Sequence, residues 1–287
     1  MTGLSAFPVL INGCLKQSID IFDRGFMYGD GLFETVRVVK GIAPLWEYHC
    51  KRLIKGCEKL KIETDDKLIE RLWSGLNRVI EIAGTKSDTC IVKLIISRGA
   101  GGRGYQVPEQ STATEVVICY PAPSYSSTHP SEGVNVTTCR YRLSENSYLA
   151  GIKHLNRLDQ VLASSEVPKS SSEGIMLDQR GRLIEGTKSN ILFFGDGEIV
   201  SPATDLCGVD GVARDFVFLN AQELGLSARF ERVLPSAIHQ FEGMAVTNSV
   251  LGIWPVRQMD GALLPISPLV YDIQRLFNEK LMFEYKV

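Results

Sequence analysis

The spacing of apolar residues predicts strands and helices through the first 121 residues. A strand is predicted from Phe33 to Val39, where β-branched residues alternate with others before a turn at Gly41. Two helices should follow, because apolar residues then recur at every third or fourth position, as on one helix face. Those positions are Trp46, Cys50, Leu53, Cys57 and Leu60 in the first helix, and Leu68, Leu72, Leu76, Val79 and Ile80 in the second. With further strands at Cys90–Ser97 and Glu115–Tyr120, this part is predicted to form an α+β domain over residues 1–121.

The segment 122–131 is rich in proline and serine and poor in apolar residues, which predicts an exposed linker. A larger β-rich domain with helices is predicted over residues 132–287. Its predicted strands are Val134–Thr138, Gly174–Leu177, Ile191–Phe194, Glu198–Val200, Ala245–Thr247 and Ile253–Arg257. Its predicted helices are one with Leu155, Leu158 and Leu162 on one face, one over Val212–Leu224, and one from Pro268 to about Leu281.

Composition and charge exclude several classes of function. The chain has 287 residues, with 31 basic and 33 acidic side chains and a net charge of −2. Because this balance creates no extended basic field, neither nucleic acid nor an anionic membrane is expected as a partner. No window holds the roughly 18 consecutive apolar residues of a membrane span, and Met1–Val9 lacks the features of a secretory signal. We therefore expect a soluble cytoplasmic protein, and an isolated basic pocket for a small anion is compatible with this charge balance.

The cysteines and histidines do not indicate a metal site. The seven cysteines are odd in number, scattered and without a C-x-x-C pair, and the four histidines stand alone. Neither a disulfide framework nor a zinc site is therefore expected, and we predict no metal.

A glycine-rich segment, Gly99–Gly104, is the first candidate for chemistry. A dinucleotide-binding loop needs a helix that starts on the glycines, but Pro108 follows closely and disfavours one. A flexible surface loop is the plain structural interpretation. A third interpretation is that Arg98 and Arg103, which flank the glycines, bind substrate carboxylates.

Four further segments contain residues that suit catalysis or anion binding. Lys153 is most simply a solvated lysine, but burial beside apolar groups would free its amine for Schiff-base chemistry. Glu185 belongs either to a turn or to a ligand site. Gly211, Val212 and Ala213 open a helix whose backbone N–H groups suit a phosphate, although a helix capped by Asp210 without a ligand is equally compatible. Thr247 and Asn248 at a strand end are either a polar turn or an anion contact.

Together these segments resemble the fold-type IV, branched-chain aminotransferase-like family of pyridoxal-phosphate enzymes. The resemblance runs from Ile11–Gly13 to Trp254–Val256, and its motifs are specific in their order and spacing rather than singly. Within the family, the chain is most similar to the branch of lyases that act on 4-amino-4-deoxychorismate. The segments Asp23–Gly25 and Tyr28–Gly31 belong to the family resemblance, whereas Phe33–Thr35, Ile96–Tyr105 and Gly151–Leu162 carry the resemblance to these lyases. Branched-chain aminotransferases usually have a tyrosine five residues after the lysine, where this chain has Leu158, whereas Glu34 and Glu185–Thr187 are more aminotransferase-like.

The resemblance implies a two-domain α+β fold of type IV with pyridoxal 5′-phosphate as cofactor. Lys153 is then the residue that holds the cofactor and moves protons, and Glu185 keeps the pyridine nitrogen protonated. The implied phosphate ligands are Arg52, the backbone of Gly211, Val212 and Ala213, and the Thr247–Asn248 region. Thr35 is a second candidate catalytic residue, and the candidate substrate-binding residues are Arg98, Arg103, Tyr105 and Tyr28.

The activity implied is conversion of aminodeoxychorismate to 4-aminobenzoate and pyruvate by a homodimer. One alternative is a D-amino-acid or branched-chain aminotransferase of the same fold. An alternative from another class is a non-catalytic protein that binds a nucleotide or a partner through Gly99–Gly104.

Overall fold

The computed structural model describes residues 7–85 and 88–282, and these residues form two compact units. The first unit reaches to Pro123 and also contains Ile152–Asn156. The second contains Ser124–Gly151 and the residues from Arg157 onward. The first six residues, on which the prediction about a signal partly rests, lie outside the described range, as do 86, 87 and 283–287.

The first unit is built on a five-stranded sheet in which every neighbouring pair is antiparallel. Its strand order is β2-β1-β5-β4-β3. The strands are β1 (Val9–Ile11), β2 (Cys14–Leu15), β3 (Gly31–Val39), β4 (Thr89–Ser97) and β5 (Thr114–Pro121). The predictions for β3, β4 and β5 are confirmed to within two residues, whereas the short strands β1 and β2 were not predicted.

Helices cover one face of this sheet. A short helix, α1 (Arg24–Tyr28), precedes β3, and α2 (Trp46–Leu60) and α3 (Leu68–Ala83) follow it as predicted. The helix α2 packs on β3, and α3 packs mainly on β5. Alternate residues of β3 and β4 therefore point into the core between sheet and helices, among them Val36, Val38, Val92 and Leu94. The intervening residues of each strand lie on the opposite, less buried face.

The second unit is a mixed sheet that closes on itself. Strands β9, β12, β13, β6, β7 and β8 are paired in this order, and β8 pairs again with β9 to complete a barrel. The strands are β6 (Val134–Arg142), β7 (Glu173–Leu177), β8 (Leu183–Gly186), β9 (Asn190–Gly195), β10 (Glu198–Pro202), β11 (Ser227–Glu231), β12 (Gly243–Asn248), β13 (Gly252–Met259) and β14 (Ala262–Leu263). Large apolar side chains such as Phe193 and Trp254 pack in its core.

The turn between β9 and β10 shows why the sequence predicts that hairpin well. Asp196 and Gly197 both have positive φ, 52° and 72°. This is the backbone of a two-residue hairpin turn, which Asp-Gly adopts with little strain.

In the second unit, the helices after residue 211 agree with prediction, the short helix at His129–Glu132 was not predicted, and the helix near the candidate lysine differs from prediction. The helices of this unit are α4 (His129–Glu132), α5 (Leu158–Ser165), α6 (Val212–Asn220, continued as a 3₁₀ turn to Leu224) and α7 (Pro268–Leu281). The prediction that Leu155, Leu158 and Leu162 share one helical face is wrong. Leu155 precedes the helix and belongs to the first unit, and Leu158 is 74% exposed.

The segment predicted as a linker, 122–131, is only partly exposed. His129–Glu132 forms α4, and Pro130 is buried within the second unit. The Trp254 ring lies 4.7 Å from Tyr125 and 4.6 Å from His129, centroid to centroid. A proline-rich composition therefore predicted the break between units better than it predicted exposure.

Over residues 7–85 and 88–282, no helix combines the length and the apolar character that crossing a membrane requires. In the same residues, no three His, Cys, Asp or Glu side chains are grouped so that they could hold a metal ion.

Candidate active site

Lys153 is held by an extended segment beside β3 rather than at the start of a helix. The backbone N–H of Phe33 donates to the carbonyl of Lys153 at 3.0 Å, and that of Leu155 donates to Gly31 at 2.9 Å. His154 accordingly forms a bridge with Leu32. These bonds fix the backbone on both sides of Lys153 within the first unit. Its ammonium nitrogen lies 4.5 Å from the centroid of the Phe33 ring, a favourable cation–π distance.

A buried group of Glu34, His49 and Arg52 lies on the core face of β3. Glu34 is 1% exposed. Its two carboxylate oxygens accept hydrogen bonds from Arg52, one from Nε at 2.8 Å and one from Nη2. His49 Nδ1 lies 2.7 Å from Glu34 Oε2. Burial alone raises the pKa of Glu34, but the charge and hydrogen bonds of Arg52, with the hydrogen bond of His49, lower it to about 2.

His49 is neutral in this group. Burial lowers its pKa, although the hydrogen bond and charge of Glu34 act in the opposite direction. Because a carboxylate only accepts hydrogen bonds, the proton of the neutral ring belongs on Nδ1. Within the described residues, the buried Nε2 has no hydrogen-bond partner.

The pairing of Arg52 with Glu34 changes the prediction for Arg52. The edge of the guanidinium formed by Nε and Nη2 holds Glu34, so this edge does not face the phosphate that Arg52 is predicted to bind. The alternation of side chains along β3 places Glu34 on the core face, opposite to that of Phe33, and the ion pair with Arg52 offsets the cost of burying its charge.

Arg98 is committed to the fold, which argues against its predicted role in substrate binding. It is 4% exposed, and its Nε and Nη2 bind Asp30 at 2.7 and 3.0 Å. Its remaining bonds go to the carbonyls of Lys61 and Leu60, at 2.6 and 2.7 Å. From its position just before the glycines, Arg98 was predicted to contact a ligand. In the structure it instead joins the C-terminal end of α2 to the end of β4.

Arg24, a residue that the sequence did not single out, anchors the glycine-rich loop. Its Nε binds Asp30 at 3.1 Å, and its Nη1 donates to the carbonyl of Gly104 at 3.1 Å. Burial raises the pKa of Asp30, but hydrogen bonds from Arg98 and Arg24 prevail and lower it. Asp30 is thus a shared counter-charge for two buried arginines.

The loop presents two of the predicted substrate-binding residues at the surface. Arg103 is exposed, and so is Tyr105. The rings of Tyr105 and Tyr28 meet edge to face at 5.5 Å, and the Arg24 guanidinium lies 4.9 Å from the Tyr28 ring. The structure therefore groups Tyr28 with Tyr105, and their role toward a substrate stays a prediction.

In the second unit, Glu185 is buried at the end of β8. Its Oε2 accepts the backbone N–H of Val209 at 2.8 Å, and its Oε1 accepts Nε2 of Gln160 at 3.2 Å. A carboxylate that accepts two hydrogen bonds is stabilised in its charged form. Gln160 comes from α5 and has no distinguishing signal in the sequence.

The start of α6 has the form of an anion cradle. Gly211 is its N-cap and no side chain caps the helix, so the first backbone N–H groups are not used by a capping side chain. A Cβ at Gly211 would lie 1.7 Å from Asn190 Oδ1, so any larger residue would displace the buried Asn190 side chain. The alternative of a helix capped by Asp210 is wrong, because Asp210 instead accepts bonds from Thr204 and Arg214.

Thr247 and Asn248 have their side chains occupied by the turn after β12. The Thr247 hydroxyl donates to the carbonyl of Gly252 at 2.8 Å, and Asn248 Nδ2 donates to that of Lys188 at 2.8 Å. Asn248 Oδ1 accepts the N–H groups of Val250 and Leu251.

Comparison with known proteins identifies the family. The family model described as "Amino-transferase class IV" matches residues 31–259, which is more than half of the chain. The chain belongs to the class IV aminotransferase family. Its antiparallel N-terminal sheet and mixed C-terminal barrel are the fold-type IV architecture of pyridoxal-phosphate enzymes, so the predicted family and fold class are confirmed.

Relatives named as lyases match nearly the whole chain. Aminodeoxychorismate lyase of Vibrio harveyi is 29% identical over 267 residues, which are 93% of this chain and 95% of that protein. The crystal structure of 4-amino-4-deoxychorismate lyase from Pseudomonas aeruginosa has a TM-score of 0.87 and 36% identity, with 96% of this chain and 100% of that chain covered. The branched-chain amino acid aminotransferase of Escherichia coli has a TM-score of 0.83 over 98% of both chains, but at 20% identity it shows the fold alone.

Proposed function

We propose that this chain is a pyridoxal-phosphate-dependent lyase that converts 4-amino-4-deoxychorismate into 4-aminobenzoate and pyruvate. One observation carries the proposal. In a chain whose relatives with 29% and 36% identity are named as such lyases, an amine, Lys153 Nζ, is held against the Phe33 ring on the sheet of the first unit.

The side chains present fit the cofactor. Lys153 offers a primary amine, and Glu185 is a buried carboxylate of the kind that keeps a pyridine nitrogen protonated. For the phosphate, Arg52 offers a positive charge and α6 an N-terminus without a capping side chain. When bound, pyridoxal phosphate supplies a carbonyl carbon that bonds amines and a ring that takes up electrons from neighbouring bonds.

The chain's own residues then account for the proton transfers. The proposed reaction removes a proton from the amine-bearing ring carbon, breaks the neighbouring carbon–oxygen bond, and adds a proton to the departing enolpyruvyl group, which becomes pyruvate. We assign the first proton to Lys153 Nζ. Lys153 or the Thr35 hydroxyl delivers the second. Loss of the enolpyruvyl group leaves an aromatic ring, which makes the elimination favourable.

The proposal predicts product formation without a second substrate. We expect the purified protein, loaded with pyridoxal phosphate and given aminodeoxychorismate, to release pyruvate and 4-aminobenzoate in equal amounts with no keto acid added. Pyruvate is measured with a coupled dehydrogenase and 4-aminobenzoate by chromatography. Amino-group exchange between amino and keto acids without an aromatic product would instead establish an aminotransferase. A colourless protein that binds ATP but no pyridoxal phosphate would establish the nucleotide-binding alternative.

We also propose that the protein is a homodimer, and an exposed apolar patch of the first unit supports this. Phe22, just before α1, is 65% exposed, and Phe26, within α1, is 68% exposed. Their neighbours Ile21 and Met27 are exposed as well. A contiguous apolar patch on a surface is characteristic of an interface.

Sedimentation should give twice the chain mass of 31.8 kDa for the wild type. Phe26→Asp is expected to shift the equilibrium toward the monomer, because it places a charge in the interface. Leu219→Asp is the control, since Leu219 is a similarly exposed apolar residue of the second unit. A monomeric wild type, or a Phe26→Asp variant that stays dimeric, contradicts the assignment of this surface.

A further inference from the structure

A glutamine of α5 holds one oxygen of the candidate acid Glu185. Gln160 Nε2 donates to Glu185 Oε1 at 3.2 Å, and the backbone N–H of Val209 donates to Oε2 at 2.8 Å. The two donors come from different parts of the second unit, since one lies on a helix and the other in the loop between β10 and α6. Because each donor binds a different oxygen, the two together restrict rotation of the carboxylate.

The helix that carries Gln160 is itself anchored in the second unit. Asp159, its neighbour in the first turn, accepts hydrogen bonds from the Tyr141 hydroxyl at 2.8 Å and the backbone N–H of Ser144 at 2.9 Å. Ala163, one turn further along, is fully buried. The Gln160 amide is therefore presented to the carboxylate from a fixed backbone, as precise positioning of a functional group requires.

The other end of the Gln160 amide shows that this residue is explained by Glu185. A carboxylate only accepts hydrogen bonds, so the amide must turn its N–H toward it. Gln160 Oε1 is then buried and, over residues 7–85 and 88–282, has no hydrogen-bond partner. A buried acceptor without a partner costs free energy. An apolar side chain of similar size would therefore suit the fold at least as well, and the bond to Glu185 is the favourable polar contact that a glutamine adds here.

The donors at Glu185 differ in kind from the donor at the other buried glutamate. Glu34 is held by the full positive charge of Arg52, whereas Gln160 and the backbone of Val209 are neutral. Neutral donors favour the charged form of a carboxylate without cancelling its charge. A carboxylate held in this way is suited to a cationic partner such as a protonated pyridine nitrogen.

We propose that Gln160 is a positioning residue that keeps the Glu185 carboxylate charged and in one orientation for the cofactor's pyridine nitrogen. This inference rests on the pyridoxal-phosphate dependence of the proposed function and adds a residue that acts through Glu185. Without the Gln160 donor, Glu185 becomes a stronger base, so the proton between the carboxylate and the ring nitrogen shifts toward Glu185. Uptake of electrons by the ring depends on that proton, so removal of the substrate proton by Lys153 should be slower.

Nitrogen NMR of the protein loaded with pyridoxal phosphate, isotopically labelled at its ring nitrogen, tests the proposal. The chemical shift of that nitrogen reports its protonation and requires no turnover. We expect the wild type to give the shift of a protonated ring, and Gln160→Leu to move it toward the unprotonated value. In the same variant, kcat for pyruvate release should fall by roughly tenfold or more with KM unchanged, since a hydrogen bond to a charged group is lost.

Two further variants separate the hydrogen bond from packing. Gln160→Met keeps the length of the side chain but not the donor, so it should show the same changes as Gln160→Leu. Gln179→Leu is the matched control, because Gln179 Nε2 donates at 3.1 Å to a backbone carbonyl, that of Leu143, in the same unit. This control should match the wild type in nitrogen shift and in kcat.

A double-mutant comparison decides whether Gln160 acts through Glu185. In Glu185→Gln the charged carboxylate is absent, so adding Gln160→Leu should change neither the nitrogen shift nor kcat any further. If Gln160→Leu lowers kcat equally in both backgrounds, or leaves the nitrogen shift at the wild-type value, Gln160 is a packing residue and this inference is wrong. A wild type that binds pyridoxal phosphate but releases no pyruvate overturns the lyase function, while the nitrogen shifts still decide the role of Gln160. A wild type that binds no pyridoxal phosphate overturns both proposals.

Discussion

Replacing Lys153 with alanine should abolish the proposed lyase activity, with a loss in kcat of roughly four orders of magnitude or more. Two functions disappear in this one substitution: the amine that holds the cofactor and the base assigned to the ring proton. The fold should survive, because the segment is held by backbone bonds from Phe33 N and Leu155 N that alanine preserves. Pyruvate release and the visible absorbance of the cofactor-loaded protein measure the two losses separately.

Borohydride treatment makes the assignment of the lysine specific. In the wild type, reduction should attach the cofactor permanently to the peptide that contains Lys153, and peptide mass spectrometry locates it. In Lys153→Ala that adduct should be absent. Lys169→Ala, at an exposed lysine, should behave as the wild type does in both respects. Retained pyruvate release in Lys153→Ala, or a wild-type adduct on another lysine, would show that the assignment is wrong.

Elements with a regular apolar period were predictable from the sequence. The period of α2 and α3 reflects helices with one face against a sheet, and the Asp196–Gly197 turn reflects a backbone that few other residues adopt readily. Spacing failed at α5, where leucines repeat at helical intervals but lie at the surface. Periodicity reports a possible face, and only the tertiary structure decides whether that face is covered.

Residue type indicated which groups to consider, but not what those groups contact. Lys153 is held beside β3, Glu185 is buried at the end of β8, and α6 begins at Gly211 without a capping side chain. Their roles toward a cofactor stay predictions. Arg98 and Arg52 were expected to bind ligands, but long-range contacts with Asp30 and Glu34 decide where their donors point.

Replacing Glu34 with glutamine should destabilise the protein strongly at neutral pH. The amide cannot balance the charge of Arg52, which is 10% exposed and would be left as a largely buried cation without this partner. The pKa of Glu34 is lowered from 4.5 to about 2, which corresponds to roughly 3 kcal/mol by linkage. We therefore expect the free energy of unfolding in urea at pH 7 to fall by about 3 kcal/mol, with loss of the pH dependence that Glu34 contributes.

The sign of the pH dependence distinguishes this ion pair from a simple packing defect. A carboxyl group whose pKa is lowered in the folded state stabilises that state above its unfolded pKa, and the contribution disappears as the pH falls. The difference in stability between wild type and Glu34→Gln should thus be complete above pH 4.5 and shrink toward pH 2. Asp65→Asn, which removes an exposed partner of Arg71 in the same unit, should have a much smaller effect at every pH. If the Glu34→Gln difference instead stays constant down to pH 2, the loss comes from packing around residue 34, and the buried charge pair is not its source.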